Sequence, residues 1–101
     1  MKMRSRLDVA ADHPSFAGHF PGFPVLPGAL LLDEMLKAIE SARGIDLRQW
    51  QISSAKFLDA VRPNTSLWLE HDAAEGLIRF TISGENRAVA SGTLTRGRVG
   101  R

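Results

Sequence analysis

The chain contains no cysteine among its 101 residues. This absence excludes disulfide bonds, thiolate nucleophiles and cysteine-based zinc sites, and it fits a reducing compartment. No apolar run approaches the ~20 residues that a transmembrane helix needs, and the N-terminal stretch MKMRSRLDVAADH lacks the apolar core of a signal peptide. The sequence therefore predicts a cytoplasmic protein with no membrane partner. Its length predicts one domain over residues 1–101.

The chain also lacks a large excess of charge of one sign, because 13 basic and 11 acidic residues give a formal net charge of +2. Basic residues gather at the two ends of the chain, without interleaved aromatic residues, so nucleic acid is not predicted as a partner. Solvated termini explain this pattern, and a docking surface for an acidic partner is the alternative. The basic residues at the ends are Lys2, Arg4, Arg6, Arg96, Arg98 and Arg101.

Internal repeats, low-complexity segments and linkers are missing too, and the chain divides into one helix and several strands. Residues 28–43 predict a helix, because strong helix formers carry apolar residues at helical spacing and Gly44 ends the pattern. Such a helix and an antiparallel sheet predict an α+β domain, with the sheet wrapped around a central helix. The predicted strands are 3–9, 50–60, 66–72, 77–83 and 87–95, with turns at 62–65, 74–76 and 84–86.

Residues 12–28 (DHPSFAGHFPGFPVLPG) form a loop with four prolines, which exclude regular structure. The loop is unusually apolar, so we expect it to be packed and rigid. His19 lies in its middle, where partial desolvation favours a neutral imidazole that can act as a general base. A structural histidine is the alternative. His13, before a proline, is expected to be structural or exposed, and His71, beside a turn, is expected at the surface.

Two adjacent acids, Asp33 and Glu34, lie on the predicted helix about 100° apart, so they cannot face the same way. Asp33 lies four residues before Lys37, a spacing that is typical of a surface ion pair. The functional alternative is a carboxylic acid that is placed in an apolar site and donates a proton. The residues alone do not decide between these interpretations.

The segment GHFPGFPVLPG, from Gly18 to Gly28, resembles the signature of the 3-hydroxyacyl-[acyl-carrier-protein] dehydratases of fatty-acid synthesis. In that family, as here, a helix that carries an acid follows the segment. Residues 55–57 and 61–63 resemble the same family more weakly, and the compact length is similar to the short dehydratases of aryl-polyene pathways. The resemblance implies a hotdog fold, a 3-hydroxyacyl thioester on an acyl carrier protein as substrate, and a trans-2-enoyl thioester as product.

The resemblance also implies roles for individual residues. The family histidine falls on His19 as the base, and the family acid, fourteen residues later, falls on Asp33 rather than on Glu34. An aspartate there is typical of the branch that also isomerises the double bond. The Gly28 N–H would polarise the thioester carbonyl, and no metal or cofactor is implied. The residues expected to line the acyl tunnel are Phe20, Val25 and Leu26.

In dimers of this family the histidine and the acid meet across the subunit interface, so a homodimer or a higher homo-oligomer is expected. Two other functions stay open at this point. One is a hotdog thioesterase, which would use the helix acid to activate water. The other is a non-enzymatic protein that binds acyl groups or acyl carrier protein within a larger complex.

Overall fold

The structure is a computed structural model that describes residues 1–9, 28–62 and 65–97. This part of the chain contains every predicted element, and element ends differ from the predictions by at most three residues. The α+β class and the single helix are confirmed. The elements are β1 (Lys2–Val9), α1 (Gly28–Arg43), β2 (Trp50–Phe57), β3 (Thr65–Ala74), β4 (Leu77–Gly84) and β5 (Arg87–Arg96).

The five strands form one antiparallel sheet in the order β1-β3-β4-β5-β2. Two-residue turns join β3 to β4 and β4 to β5, and each turn ends in a residue with a positive φ, Gly76 (70°) and Asn86 (57°). Glycine and asparagine adopt this left-handed conformation most readily. The helix interrupts the chain between β1 and β2, which end up at opposite edges of the sheet.

The core lies between α1 and one face of the sheet. Alternate residues of β3 and β4 are buried on the face toward the helix. Trp68 lies on the other face, half-buried, with the Arg4 guanidinium 4.0 Å from its ring centroid. No helix within residues 1–9, 28–62 and 65–97 is long and apolar enough to cross a membrane. The fully buried side chains include Leu31, Met35 and Ile39 of α1, Leu67 and Leu69 of β3, and Ile78, Phe80 and Ile82 of β4.

The C-terminal end of α1 is closed by the predicted glycine. Gly44 has a φ of 65°, and its N–H donates a hydrogen bond of 2.8 Å to the carbonyl oxygen of Glu40. This is the αL form of helix termination. The Glu40 carboxylate in turn accepts a bond of 2.8 Å from the Leu47 N–H, so the chain after the helix is held against the last turn.

The prediction that His71 lies at the surface is wrong, since its side chain is 1% exposed. The predicted strand ended at residue 72, whereas β3 continues to Ala74. His71 is therefore inside the strand rather than at its end. Because alternate residues share a face, it points to the same side as Leu67 and Leu69, toward the helix.

Candidate active site

Two of the predicted site residues, Gly28 and Asp33, lie on α1. Gly28 is the first residue of the helix and Asp33 lies in its second turn. The other predicted residues lie outside the described part of the chain. These are the base His19 and the tunnel residues Phe20, Val25 and Leu26, and His13 lies outside it as well.

Asp33 faces away from the sheet. The helix buries Leu31, Met35 and Ile39, and Asp33 falls outside that stripe, with 54% of its side chain exposed. Its carboxylate lies 3.3 Å from Lys37 Nζ. The surface ion pair between Asp33 and Lys37 that the spacing predicts is therefore present. Within the described residues, the Asp33 carboxylate is not enclosed by apolar side chains.

One lysine serves both acids of the pair. Lys37 Nζ also lies 3.9 Å from the carboxylate of Glu34, whose side chain is 35% exposed. Both contacts join exposed charges, so water screens them and each stabilises the helix by only a few tenths of a kcal/mol. A substrate or a second protein surface can therefore displace Lys37 from Asp33 at little cost in free energy.

A shallow cleft of about 300 Å³ runs beside Asp33, between α1 and the segment that follows it. Leu36 and Leu47 provide apolar surface, and charged side chains line the rest. At the far end Arg48 is held by Asp46, with 2.7 Å between its Nη2 and the carboxylate. The carboxyl of Asp33 is thus reachable from solvent along a partly apolar path. The lining residues are Asp33, Leu36, Lys37, Glu40, Leu47 and Arg48.

Gly28 has a steric reason to be glycine that the sequence did not reveal. A Cβ at this position would lie 2.8 Å from Cζ and 2.9 Å from Cε1 of Phe57, the last residue of β2. The aromatic ring therefore occupies the space beside the Cα. The N–H of Gly28 is one of the four at the start of α1 that have no carbonyl partner inside the helix, and the helix dipole makes this end partially positive.

Phe57 lies near the site, although the sequence analysis placed it only in a segment that resembles the family and gave it no role. It is half-exposed, at 48%, and the next residue, Leu58, is 50% exposed. A phenylalanine inside the predicted strand 50–60 gives no sign of which helix residue it will touch. Its position against the start of α1 becomes visible only in the folded structure.

His71 does not belong to this site. It contacts Arg43, the last residue of α1, whereas Gly28 is the first, and a helix of 16 residues is about 24 Å long. Burial lowers the pKa of the His71 imidazole, and the nearby Arg43 guanidinium lowers that pKa further. In the described part of the chain, no group of three or more metal-ligating side chains converges to hold a metal ion.

Comparison with known proteins gives the family. The family model described as ApeI-like, ApeI dehydratase, matches residues 1–93. A 3-hydroxyacyl-[acyl-carrier-protein] dehydratase of Thermus thermophilus, FabZ, is 32% identical over 93% of this chain and 75% of its own length. The chain belongs to the ApeI-like family of 3-hydroxyacyl-[acyl-carrier-protein] dehydratases. The predicted enzyme class, a hydro-lyase acting on 3-hydroxyacyl thioesters, is thereby confirmed.

Solved structures agree with the fold of this ApeI-like dehydratase. The dehydratase heterocomplex ApeI:P of Xenorhabdus doucetiae matches with a TM-score of 0.76 at 24% identity, over 96% of this chain and 88% of that one. The fluoroacetyl-CoA thioesterase FlK matches with a TM-score of 0.71 at 16% identity, over 96% and 85% of the two chains. At such identities the likeness shows the hotdog fold alone, which confirms the predicted architecture. The thioesterase likeness therefore gives no argument about this chain's reaction.

Proposed function

We propose that the protein converts 3-hydroxyacyl thioesters, carried on acyl carrier protein, into trans-2-enoyl thioesters at sites shared between two copies of the chain. His19 of one copy acts as the base and Asp33 of the other acts as the acid. The proposal rests on one observation above the rest. The family match over residues 1–93 includes the segment with His19, and it also includes the helix on which Asp33 faces outward from its own sheet.

The chemistry needs a base, an acid and a donor to the carbonyl. His19 removes a proton from C2, and negative charge builds on the thioester oxygen. The N–H of Gly28, at the positive end of α1, stabilises that charge. Asp33 gives its proton to the 3-hydroxyl, so the C3–O bond breaks, the C2–C3 double bond forms and water leaves.

The exposed edge of the sheet supports assembly. β2 is the last strand in the sheet order, and every residue from Gln51 to Phe57 is exposed. Ile52, Phe57 and Leu58 leave 37%, 48% and 50% of their surfaces in water. A long, partly apolar edge strand of this kind offers unpaired backbone groups and apolar side chains to another chain. A second copy at this edge would approach the start of α1, where Phe57 touches Gly28.

The carrier protein as substrate donor is supported by the family and not by the basic residues at the start of the chain. In β1, Arg4 Nε lies 3.8 Å from a carboxylate oxygen of Glu70, and Arg6 Nη2 lies 3.2 Å from a carboxylate oxygen of Asp8. The chain's own acids thus offset these charges.

A complementation assay tests the shared site. His19→Ala and Asp33→Asn are prepared separately, and each is expected to be inactive in an ultraviolet assay of enoyl formation from a 3-hydroxyacyl thioester. Mixing them under conditions that exchange subunits pairs an intact His19 with an intact Asp33 at one site of each mixed dimer. We expect the mixture to regain about a quarter of wild-type activity, since half of randomly formed dimers are mixed.

Two outcomes would overturn the proposal. If the wild type releases free thiol without any enoyl product, the protein is a thioesterase. If mixing restores nothing although subunit exchange is demonstrated by mass spectrometry, His19 and Asp33 act within one chain. The wild-type assay is run on carrier protein and on coenzyme A thioesters of several chain lengths, so that a lack of turnover refers to the reaction and not to one substrate.

A further inference from the structure

We propose that Phe57 is a specificity-determining residue that excludes substituents at C2 of the 3-hydroxyacyl thioester. This inference rests on the proposed role of the Gly28 N–H as the donor to the thioester carbonyl. It identifies the side chain that lies next to the reacting carbon.

The ring of Phe57 lies against Gly28. The three atoms nearest to the Cβ position of Gly28 are Cζ, Cε1 and Cε2 of Phe57, at 2.8, 2.9 and 3.2 Å. All three belong to the tip of the ring, so the ring points at the first residue of α1. Both Gly28 and Phe57 are held by regular structure, because the first begins the helix and the second ends a strand paired with β5 through Ala90.

Part of the Phe57 side chain is exposed. Phe57 is 48% exposed although its tip is in contact with the helix. In the proposed dimer the second copy would lie along β2, and the part of the ring beside the Gly28 N–H would then border the space between the two chains, where an apolar ligand can bind. The ring therefore lines the space beside the Gly28 N–H and is not part of the hydrophobic core.

The proposed binding of the thioester carbonyl determines where C2 of the substrate lies. A thioester whose carbonyl oxygen accepts from the Gly28 N–H has its C2 one bond away from the carbonyl carbon. A phenylalanine ring fixed at Gly28 leaves little room there for a methyl branch. Substrates with two hydrogens at C2 fit, and 2-methyl substrates, which still carry the proton to be removed, are excluded by size.

The test measures a ratio of specificities. Pantetheine thioesters of 3-hydroxybutanoate and of 2-methyl-3-hydroxybutanoate are compared by ultraviolet detection of the enoyl product. We expect Phe57→Ala to raise the ratio of kcat/KM for the methylated over the unmethylated substrate by about tenfold or more, the scale on which a pocket senses one methyl group. Phe57→Leu is expected to give a smaller rise in the same direction.

Leu58→Ala is the matched control, because Leu58 is the next residue and is 50% exposed. It is expected to leave the ratio unchanged. Both substrates are measured on the same preparation, so partial unfolding or dissociation of a variant lowers both rates and cannot change the ratio. An unchanged ratio in Phe57→Ala, or an equal rise in Leu58→Ala, would overturn the inference alone. Failure of the wild type to dehydrate any unmethylated 3-hydroxyacyl thioester, on carrier protein as well as on coenzyme A, would overturn the proposed function, and this inference with it.

Discussion

Arg43 Nε donates a hydrogen bond of 2.8 Å to Nδ1 of His71, an imidazole that is 1% exposed. Because Nδ1 accepts, the proton of the neutral ring is on Nε2, which has no hydrogen-bond partner within the described residues. Arg43 Nη2 also donates to the carbonyl oxygens of His71, at 2.9 Å, and of Met1, at 2.6 Å. One guanidinium thus fastens the end of α1 to β3 and to the start of the chain.

This contact requires a neutral histidine, so stability should depend on pH. Burial and the Arg43 guanidinium lower the pKa of folded His71 below its ordinary value of 6.5. Below that pH the unfolded chain binds more protons than the folded one. The contribution of His71 to stability is therefore complete above pH 6.5 and falls as the pH drops toward the folded pKa, by at most about 1.4 kcal/mol per pH unit.

Denaturant unfolding of the wild type and of His71→Val, measured between pH 5 and 8, checks this expectation. Valine suits a strand interior and removes the titrating group. The difference in free energy of unfolding between the two proteins should shift in favour of the variant as the pH falls below 6.5. The other two histidines are present in both proteins and cancel in the difference. Parallel curves for the two proteins would contradict the expectation.

Arg43→Lys is expected to destabilise the protein although the charge is kept. A lysine ammonium cannot reproduce the planar donor set that reaches the imidazole and both carbonyl oxygens. Loss of these bonds, with the imidazole acceptor left buried, should cost about 1–3 kcal/mol of the free energy of unfolding. Denaturant titration at pH 7.5 gives the value.

The control for that substitution is Arg48→Lys. Arg48 pairs only with Asp46 among the contacts described here, and its side chain is 87% exposed. Its replacement should change stability by less than about 0.5 kcal/mol. Equal losses in the free energy of unfolding of the two variants would show that the hydrogen bonds from Arg43 to buried acceptors contribute no more to stability than an exposed ion pair.

The elements could be predicted from the sequence because their periodicity is strong. Leu31, Met35 and Ile39 recur at helical spacing and are all buried, and Ile78 and Phe80 alternate as a strand requires. The order of the strands could not be predicted in the same way. Nothing in the local pattern indicates that the strand after the helix lies at the far edge of the sheet, next to the last strand.

The wrong prediction for His71 and the absence of a prediction for Phe57 have the same physical cause, which is that tertiary packing decides the environment of a side chain. His71 is predicted at the surface because it lies near the end of a strand, beside a turn, but alternation within the longer β3 places its side chain in the core. Phe57 was missed because its contact with Gly28 joins residues 29 positions apart and depends on tertiary packing. Asp33 is predicted as the acid only through the family resemblance, since its own environment of Lys37 and solvent is that of any surface acid.

Asp33→Asn and Glu34→Gln distinguish the proposed acid of the reaction from its neighbour. Both side chains contact Lys37, at 3.3 and 3.9 Å, so each substitution removes a charge next to the same lysine. Only Asp33→Asn should lower kcat, by about 10²–10⁴-fold, because an amide cannot deliver the proton to the leaving hydroxyl. Glu34→Gln should keep kcat near the wild-type value. Steady-state enoyl formation measures both, and an equal loss would assign the effect to Lys37 rather than to proton transfer.

Gly92→Ala should weaken the attachment of β2. Gly92 of β5 faces Phe80 on β4 and Ala55 on β2. A Cβ there would overlap the backbone carbonyl oxygen of Ser54 and would lie 2.8 Å from the ring of Phe80 and 3.0 Å from the Cα of Ala55. Two of these atoms are backbone, so the added methyl group can be accommodated only if the strands separate.

We expect a loss of about 1–3 kcal/mol in the free energy of unfolding, the usual cost of overpacking. Hydrogen exchange should also quicken in residues 50–57, because their bonds to β5 would open more often. Gly84→Ala is the matched control, since its Cβ would meet only side-chain atoms at 3.4–3.8 Å, from Arg87 and Leu67. That substitution should be tolerated. If Gly92→Ala were as stable and as protected as Gly84→Ala, the close approach of β2 to β5 at this point would not exist in solution.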